Sequence, residues 1–317
     1  MNRKHLDKLL GMIIATTALG ARGLACGPCL DEVSVIPLLP PSSDGGVEDA
    51  GDWVDAECQK RCANAISCVP MSIPQEDGET IPAIECTRAG ECGAGRRPLR
   101  EGGRENILSS KDLSTPGGWL AHAATLEAAS VTAFRELRRD LAALGAPRRL
   151  LRAASRAAEE ERRHTRHTQA LARRFGARVT VMVEGPTRRA TLEELAAHNA
   201  AEGCVREAFG ALVARWQATF AEDAEVRSVM ARIAEEEARH AALAFAIDAW
   251  VKPRLDAAAR ARVEAARREA TREVMAPRAR DPRRDAGLRV LGLPDAAEAE
   301  ALGKRFVAAI GIDAAAA

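Results

Sequence analysis

The chain has 317 residues, room for one large domain or two smaller ones, and a 47% hydrophobic content that supports a packed core. Tyrosine is absent, which excludes chemistry carried by a tyrosyl radical. A net charge of +1, with no basic stripe interleaved with aromatics, excludes a nucleic-acid surface. Residues 26–115 carry 16 acidic and 8 basic side chains, and residues 116–317 carry 28 and 34, so an acidic front precedes a mildly basic back. The back is rich in Ala, Arg, Leu and Glu, which is helix-forming composition.

At the N-terminus Arg3, Lys4 and Lys8 lead into LLGMIIATTALG, residues 9–20, an uncharged run too short to span a bilayer. Gly23-Leu24-Ala25 then sets small residues before Cys26. This is the layout of a signal peptide over residues 1–25, and it predicts export to the periplasm or cell envelope. The segment GLAC also resembles the lipobox of bacterial lipoproteins. That resemblance implies acylation of Cys26 and anchoring in a membrane.

Seven of the eight cysteines lie between residues 26 and 92. Such density suits an exported, disulfide-stapled segment. If Cys26 is acylated, Cys29, Cys58, Cys62, Cys68, Cys86 and Cys92 remain for three bridges, and spacing alone does not choose among the pairings. Zinc at Cys58 and Cys62 is the competing reading, but no matching histidine pair follows. Cys26-Gly27-Pro28-Cys29 is the tetrapeptide of thioredoxin active sites, without the preceding strand that such chemistry needs. Residues 26–115 contain PLLPPSSDGG, scattered Gly and Pro and no sustained period, and are expected to be loop-rich, part linker and part disulfide knot.

From Pro116 the chain becomes periodic. Four long helices are expected at about 116–144, 147–175, 191–221 and 223–251. Gly145-Ala146-Pro147 and Ala221-Glu222-Asp223 are short joins, which make antiparallel hairpins. The longer connection over residues 176–190 contains VTVMV and would cross between the hairpins. Further helices are expected near 254–275 and from Pro294-Asp295, within an extension over residues 252–317. The predicted class is all-α: a bundle over residues 116–251 made of two hairpins and a crossover, plus C-terminal helices.

Residues 159–164 read EEERRH and residues 235–240 read EEEARH. The two hairpins also align upstream. Setting Glu127 on Glu202 puts Phe134 on Phe209 and Leu137 on Leu212. The steps from Glu127 to Glu161 and from Glu202 to Glu237 are 34 and 35 residues, so a helix pair is repeated and not just a hexapeptide. At about 100° per residue, Glu161 and His164 share the apolar stripe of Ala154, Ala157, Thr168 and Leu171. Glu237 and His240 share that of Met230, Ile233 and Ala244. Glu159 with Arg163, and Glu235 with Arg239, fall on the solvated side. Glu127 lies with Leu120, Phe134 and Leu141, and Glu202 with Leu195, Val205, Phe209 and Trp216. Glu207 points about 140° from Glu202 and is set aside.

The chain thus offers one inward carboxylate on each of two helices and an inward Glu-x-x-His on each of the other two, a donor set for two metal ions. The competing expectation is a bundle whose buried glutamates pair with arginines, for which inward-facing Arg206 is available. His198, one turn before Glu202 on its face, and Arg206 are candidates for supporting the ligands. His122 and His167 are expected on the surface or in packing, and Cys204 as a small, partly buried residue.

Over residues 116–251 the chain resembles the ferritin-like, rubrerythrin-like di-iron family. Glu127, Glu161 with His164, Glu202, and Glu237 with His240 carry the resemblance. It implies two iron ions, with manganese as the other metal suited to these donors, reacting with dioxygen or peroxide. Glu161 and Glu237 would bridge, Glu127 and Glu202 would be terminal ligands, and the histidines would take one metal each. It implies a ferroxidase, oxidase or peroxide-scavenging oxidoreductase whose electron donor is unknown, since no pair of CxxC motifs follows the bundle. The alternative function is a non-enzymatic envelope scaffold or binding protein on the same bundle.

Overall fold

The computed structural model describes residues 8–14, 32–37, 67–74, 80–88, 113–179, 189–275 and 282–311. The chain forms two compact units, residues 29–91 and the remainder. The smaller unit is not loop throughout. It holds an antiparallel sheet of β1 (Glu32–Pro37), β2 (Ser67–Pro74) and β3 (Thr80–Arg88), in the order β1-β3-β2. Its prolines hide the alternation that would announce strands, yet each stands where a ladder donor can be spared. Pro70 and Pro74 are on the edge strand β2. Pro82 is in the central strand, but the β1 register stops at Ala83, so Pro82 has a neighbour on one side only. Ile84, fully buried, is opposed by Ile36 on one side and Pro70 on the other.

The larger unit is helical. Helix α1 (Pro116–Ala143) starts where the Thr115 hydroxyl accepts from the Gly118 N–H and Pro116 fills the first turn. It stops at Leu144 and Gly145, the latter at φ 73°, which suits glycine. Pro147 then precedes α2 (Arg148–Arg174). The third expected helix is divided into α3 (Leu192–His198), a π-helical segment (Asn199–Glu207) and α4 (Ala208–Phe220). A Thr191/Glu194 capping box opens α3. The Asp223 carboxylate caps α5 (Ala224–Val251) by accepting from the Glu225 and Val226 N–H groups. Helices α6 (Ala257–Met275), α7 (Pro282–Leu288) and α8 (Ala296–Ile310) follow, the last starting after Pro294-Asp295 as expected, with the Asp295 carboxylate accepting from the Ala297 and Glu298 N–H groups. Beyond Val179 the VTVMV connection lies outside the described residues.

Helix α1 packs along α2, α4 along α5, and α2 against α5. Helix α6 lies against the π segment. Between α1 and the end of α2 the approach is so close that a Cβ on Gly117 would stand 2.5 Å from the Phe175 carbonyl oxygen. Two apolar clusters fill the helical unit at different levels. One gathers Phe134, Leu137, Leu141, Leu150, Leu243 and Ile247. The other gathers Trp119, Leu120, Leu171, Val226, Met230 and Ile233. In α1, α2 and α5 alike the positions between these clusters carry charged or imidazole side chains that are nevertheless buried. A third cluster joins Val205, Leu212, Trp216, Ala270 and Phe306 to Leu10, Ile13 and Ile14 from helical residues 8–14. Among the described residues no helix is long and apolar enough to cross a membrane.

Candidate metal centre

Glu161 and His164 project from α2, and Glu237 and His240 from α5, into the level between the two apolar clusters. All four are at most 1% exposed. His164 Nδ1 stands 3.5 Å from Glu161 Oε2 and 3.2 Å from Glu237 Oε1. His240 Nδ1 stands 3.2 Å from Glu161 Oε1 and 3.5 Å from Glu237 Oε2. Each of these two carboxylates therefore turns one oxygen to each imidazole. Glu127 on α1 adds an oxygen 3.4 Å from His164 Nδ1.

The fourth carboxylate is Glu207, which corrects the expectation for Glu202. Ligand atoms of Glu161, Glu207 and His240 lie within 4.8 Å of one another, as do those of Glu127, Glu161, His164 and Glu237. The physical reason is the π segment. Its i→i+5 hydrogen bonding stacks residues five apart, so Glu207 comes round to the side where the α-helical count puts Glu202. Glu202 instead accepts from Arg206 Nη1 at 2.5 Å, and Arg206 bridges on to Glu273 of α6. Arg206 thus belongs to the arginine pairing expected for a buried glutamate, not to the support of a ligand. His198, half-buried at the end of α3, is in neither ligand group.

The outer atoms of the histidines are held across the two hairpins. His164 Nε2 is 2.9 Å from Glu236 on α5, and His240 Nε2 is 2.9 Å from Glu160 on α2. Arg239 donates to Glu160 at 2.6 Å and Arg163 to Glu236 at 2.8 Å. Arg163 and Arg239 are therefore clamps on the opposite helix and not members of solvated pairs. Glu160 and Glu236 were missed by counting helix faces, because they sit one residue from the inward position. Their signal was the repeat itself, which keeps both glutamates and the arginine three residues further on in the same places.

Burial disfavours charge on Glu236, yet His164 and Arg163 outweigh it and hold the carboxyl down at about 2. Glu160 is likewise lowered, burial being outweighed by His240 and Arg239. Ionised carboxylates only accept, so each Nε2 carries the proton and each Nδ1 faces the centre. Burial lowers the basicity of His164, but Glu127, Glu161, Glu236 and Glu237 raise it well above the usual histidine range. Burial likewise disfavours charge on His240, but the charge of Glu237, the hydrogen bond to Glu160 and the nearby Glu161 carboxylate outweigh it and raise it well above that range. Glu127 is pushed up by burial and by the charge of Glu161. Glu161 is held far below the ordinary carboxylate range, since His164 and His240 outweigh its burial.

Neither oxygen of Glu161 or of Glu237, nor Nδ1 of either histidine, has a hydrogen bond of proper geometry, although all are buried. Such atoms are costly unless something binds them. The four carboxylates bring four negative charges, which two divalent cations balance. The donor set therefore fits a metal pair, and protons on the imidazoles and on Glu127 stand in the cations' place in a metal-free chain.

Among residues not promoted, His167 is half-buried and Cys204 is fully buried. His122 is packing rather than surface, 2% exposed, with burial lowering it to about 4. The backbones of Cys68 and Cys86 are described; Cys26, Cys29, Cys58, Cys62 and Cys92 lie outside the described residues. No protein-family profile, curated protein or solved structure matches the chain.

Proposed function

We propose that this chain is a ferritin-like di-metal carboxylate protein that holds two iron ions and reacts with dioxygen or peroxide. The observation that carries the reading is the exchange of oxygens, in which Glu161 and Glu237 each offer one oxygen to each histidine Nδ1. A carboxylate that turns one oxygen to each of two nitrogen donors would serve two cations. Mixed oxygen and imidazole donors suit iron or manganese over thiolate-seeking metals. Glu127 and Glu207 would add one carboxylate each to the set that holds the metal.

A bound pair of ferrous ions would supply the electrons that reduce dioxygen or peroxide. The remaining work belongs to the chain. Glu160 and Glu236 keep a proton on each Nε2, which fixes the tautomer that presents Nδ1. Arg163 and Arg239 keep those two carboxylates charged. The Phe134 ring, centred 4.9 Å from that of His240, walls one side against water. The apolar clusters to either side keep the centre at low dielectric, where the electrostatic attraction of the donors is strongest.

Export to the cell envelope is part of the proposal and rests on residues 3–25 alone. It makes a specific demand, because a cleaved leader takes Leu10, Ile13 and Ile14 out of a cluster in which each is at most 8% exposed. N-terminal sequencing of the protein from its membrane and soluble fractions decides whether those residues stay.

The central test is metal content after anaerobic ferrous loading of the full chain and of the Glu161→Ala/His240→Ala variant. About two irons per chain, lost in the variant and oxidised by air, support the proposal. A folded wild-type chain that takes up no iron or manganese overturns it and leaves an envelope scaffold.

A further inference from the structure

The cysteines of the smaller unit left their pairing open by spacing alone. The sheet register narrows it. In the β2–β3 ladder the Cα partner of Cys68 is Cys86. Directly opposed residues of an antiparallel pair share a face, with Cβ atoms roughly 4.5–5.5 Å apart, closer in non-hydrogen-bonded pairs. A disulfide needs Cβ atoms about 3.5–4.5 Å apart and Cα atoms about 4.4–6.8 Å apart, so a small adjustment of the pleat is sufficient.

We propose that Cys68 and Cys86 form a cross-strand disulfide that closes the β2–β3 hairpin. This assignment does not depend on the metal centre.

One further feature of the sheet agrees with it. The pair sits at the end of the hairpin away from the short connection between the strands, one position from the terminal pair Ser67–Thr87 and remote from the pair Pro74–Thr80. A bond at that place encloses nearly the whole hairpin, where cross-linking constrains the unfolded chain most.

The chemistry is thiol–disulfide exchange with a low-molecular-weight disulfide such as glutathione disulfide. One cysteine thiolate attacks a sulfur of the oxidant, forming a mixed disulfide and releasing one glutathione thiolate. The second cysteine thiolate attacks the protein sulfur of that mixed disulfide and releases the other. Both cysteines are oxidised, the oxidant is reduced to two thiols, and the protons of the cysteines pass to the departing thiolates.

The test uses the full chain equilibrated in a glutathione/glutathione disulfide buffer. Free thiols are blocked with iodoacetamide, and the chain is digested without reduction by trypsin plus a glutamate-specific protease. Cleavage after Arg61, Glu76, Glu85 and Arg88 leaves Cys62 and Cys68 on one peptide and Cys86 on another. The linked species is then read in wild type and in a Cys62→Ser variant. The expected result is a link between peptides 62–76 and 86–88 that persists in Cys62→Ser, disappears on reduction, and is lost in Cys68→Ser with Cys86 becoming alkylated. Four outcomes overturn the proposal. Cys68 and Cys86 are both alkylated before reduction in oxidising buffer; or either is linked to another cysteine; or the link vanishes in Cys62→Ser while Cys68 is alkylated. Retention of stoichiometric zinc with all these thiols unlinked also overturns it. If single serine variants fail to fold, the digest of wild type and Cys62→Ser alone still decides.

Discussion

In the first hairpin one uninterrupted α-helix carries Glu127 to the centre. In the second, the matching stretch is α-helical, then π-helical for nine residues, then α-helical again, and the carboxylate brought to the cluster, Glu207, is the last residue of the π segment. Both halves deliver the same donors, but they do so through different backbones. Chain repetition was thus kept at the level of the atoms presented, and a local change of winding repaired the register. The price of an i→i+5 segment, its poorer packing along the axis, is met by α6 lying against it. Aligning the halves on Glu127 and Glu207 also changes what faces what. The counterpart of Phe134 becomes Ala214, and Phe209 packs with Phe306 instead of with an imidazole.

The largest way to break the comparison is at its point of difference. Glu207→Ala is expected to remove about one metal per chain, or both, while Glu202→Ala keeps the full stoichiometry; metal analysis after gel filtration reads this directly. Equal losses in the two variants would show that the π segment does not set the ligand. Next is the pair of phenylalanines. Phe134→Ala opens a cavity beside His240 in a fully buried position and should cost about 3–5 kcal/mol in urea unfolding. Phe209→Ala, at a half-buried position, should cost clearly less, and an equal cost would restore the original alignment.

A subtler asymmetry is carried by His122, on the first hairpin only. Its folded-state pKa is depressed from 6.5 to about 4 by burial, so the unfolded chain takes up the proton first. Its contribution to stability is complete above pH 6.5 and falls away as the pH drops towards 4, by up to about 3 kcal/mol. Comparing unfolding curves of wild type and His122→Leu across that window should show the wild type losing stability more steeply with acid. Parallel curves would mean that His122 stays accessible to water. The smallest effect concerns the carboxylates that hold the outer nitrogens of the histidines. Glu160→Gln and Glu236→Gln should each weaken metal binding by about 10–100-fold. The loss should be larger for Glu160, the more buried of the two, its side chain being 4% exposed against 19%.

Most of the centre was legible because α1, α2 and α5 are regular helices at the level of the site. There, 100° per residue is the true geometry, and Glu127, Glu161, His164, Glu237 and His240 fall where counting puts them. Counting failed at Glu207 because the rotation per residue changes inside the π segment. A count made from the turn instead of along the helix would have found it, since Glu207 and Glu237 each lie fifteen residues from Glu222. Glu160 and Glu236 escaped the counting of faces for another reason: their partners are on the helix opposite, so the repeat marks them and the face of their own helix does not. The helical divisions were legible through Pro116, Gly145, Asp223 and Asp295, each of which ends or caps an element by its own chemistry. The strands were not, because prolines at alternate functions in β2 and β3 broke the pattern that marks strands.

The crossed pairs have a consequence for the order in which the molecule assembles. His164 is aimed by a residue 72 positions away and His240 by one 80 positions away. A hairpin that has folded alone therefore holds an imidazole with no tautomer assigned and a carboxylate without the histidine and arginine of the opposite helix. Contacts so distant along the chain form slowly, after local helices are complete. The inward carboxylates and imidazoles thus come together only with docking of the two hairpins, and a nascent chain of 180 residues, however helical, holds only the half of them that lies within it.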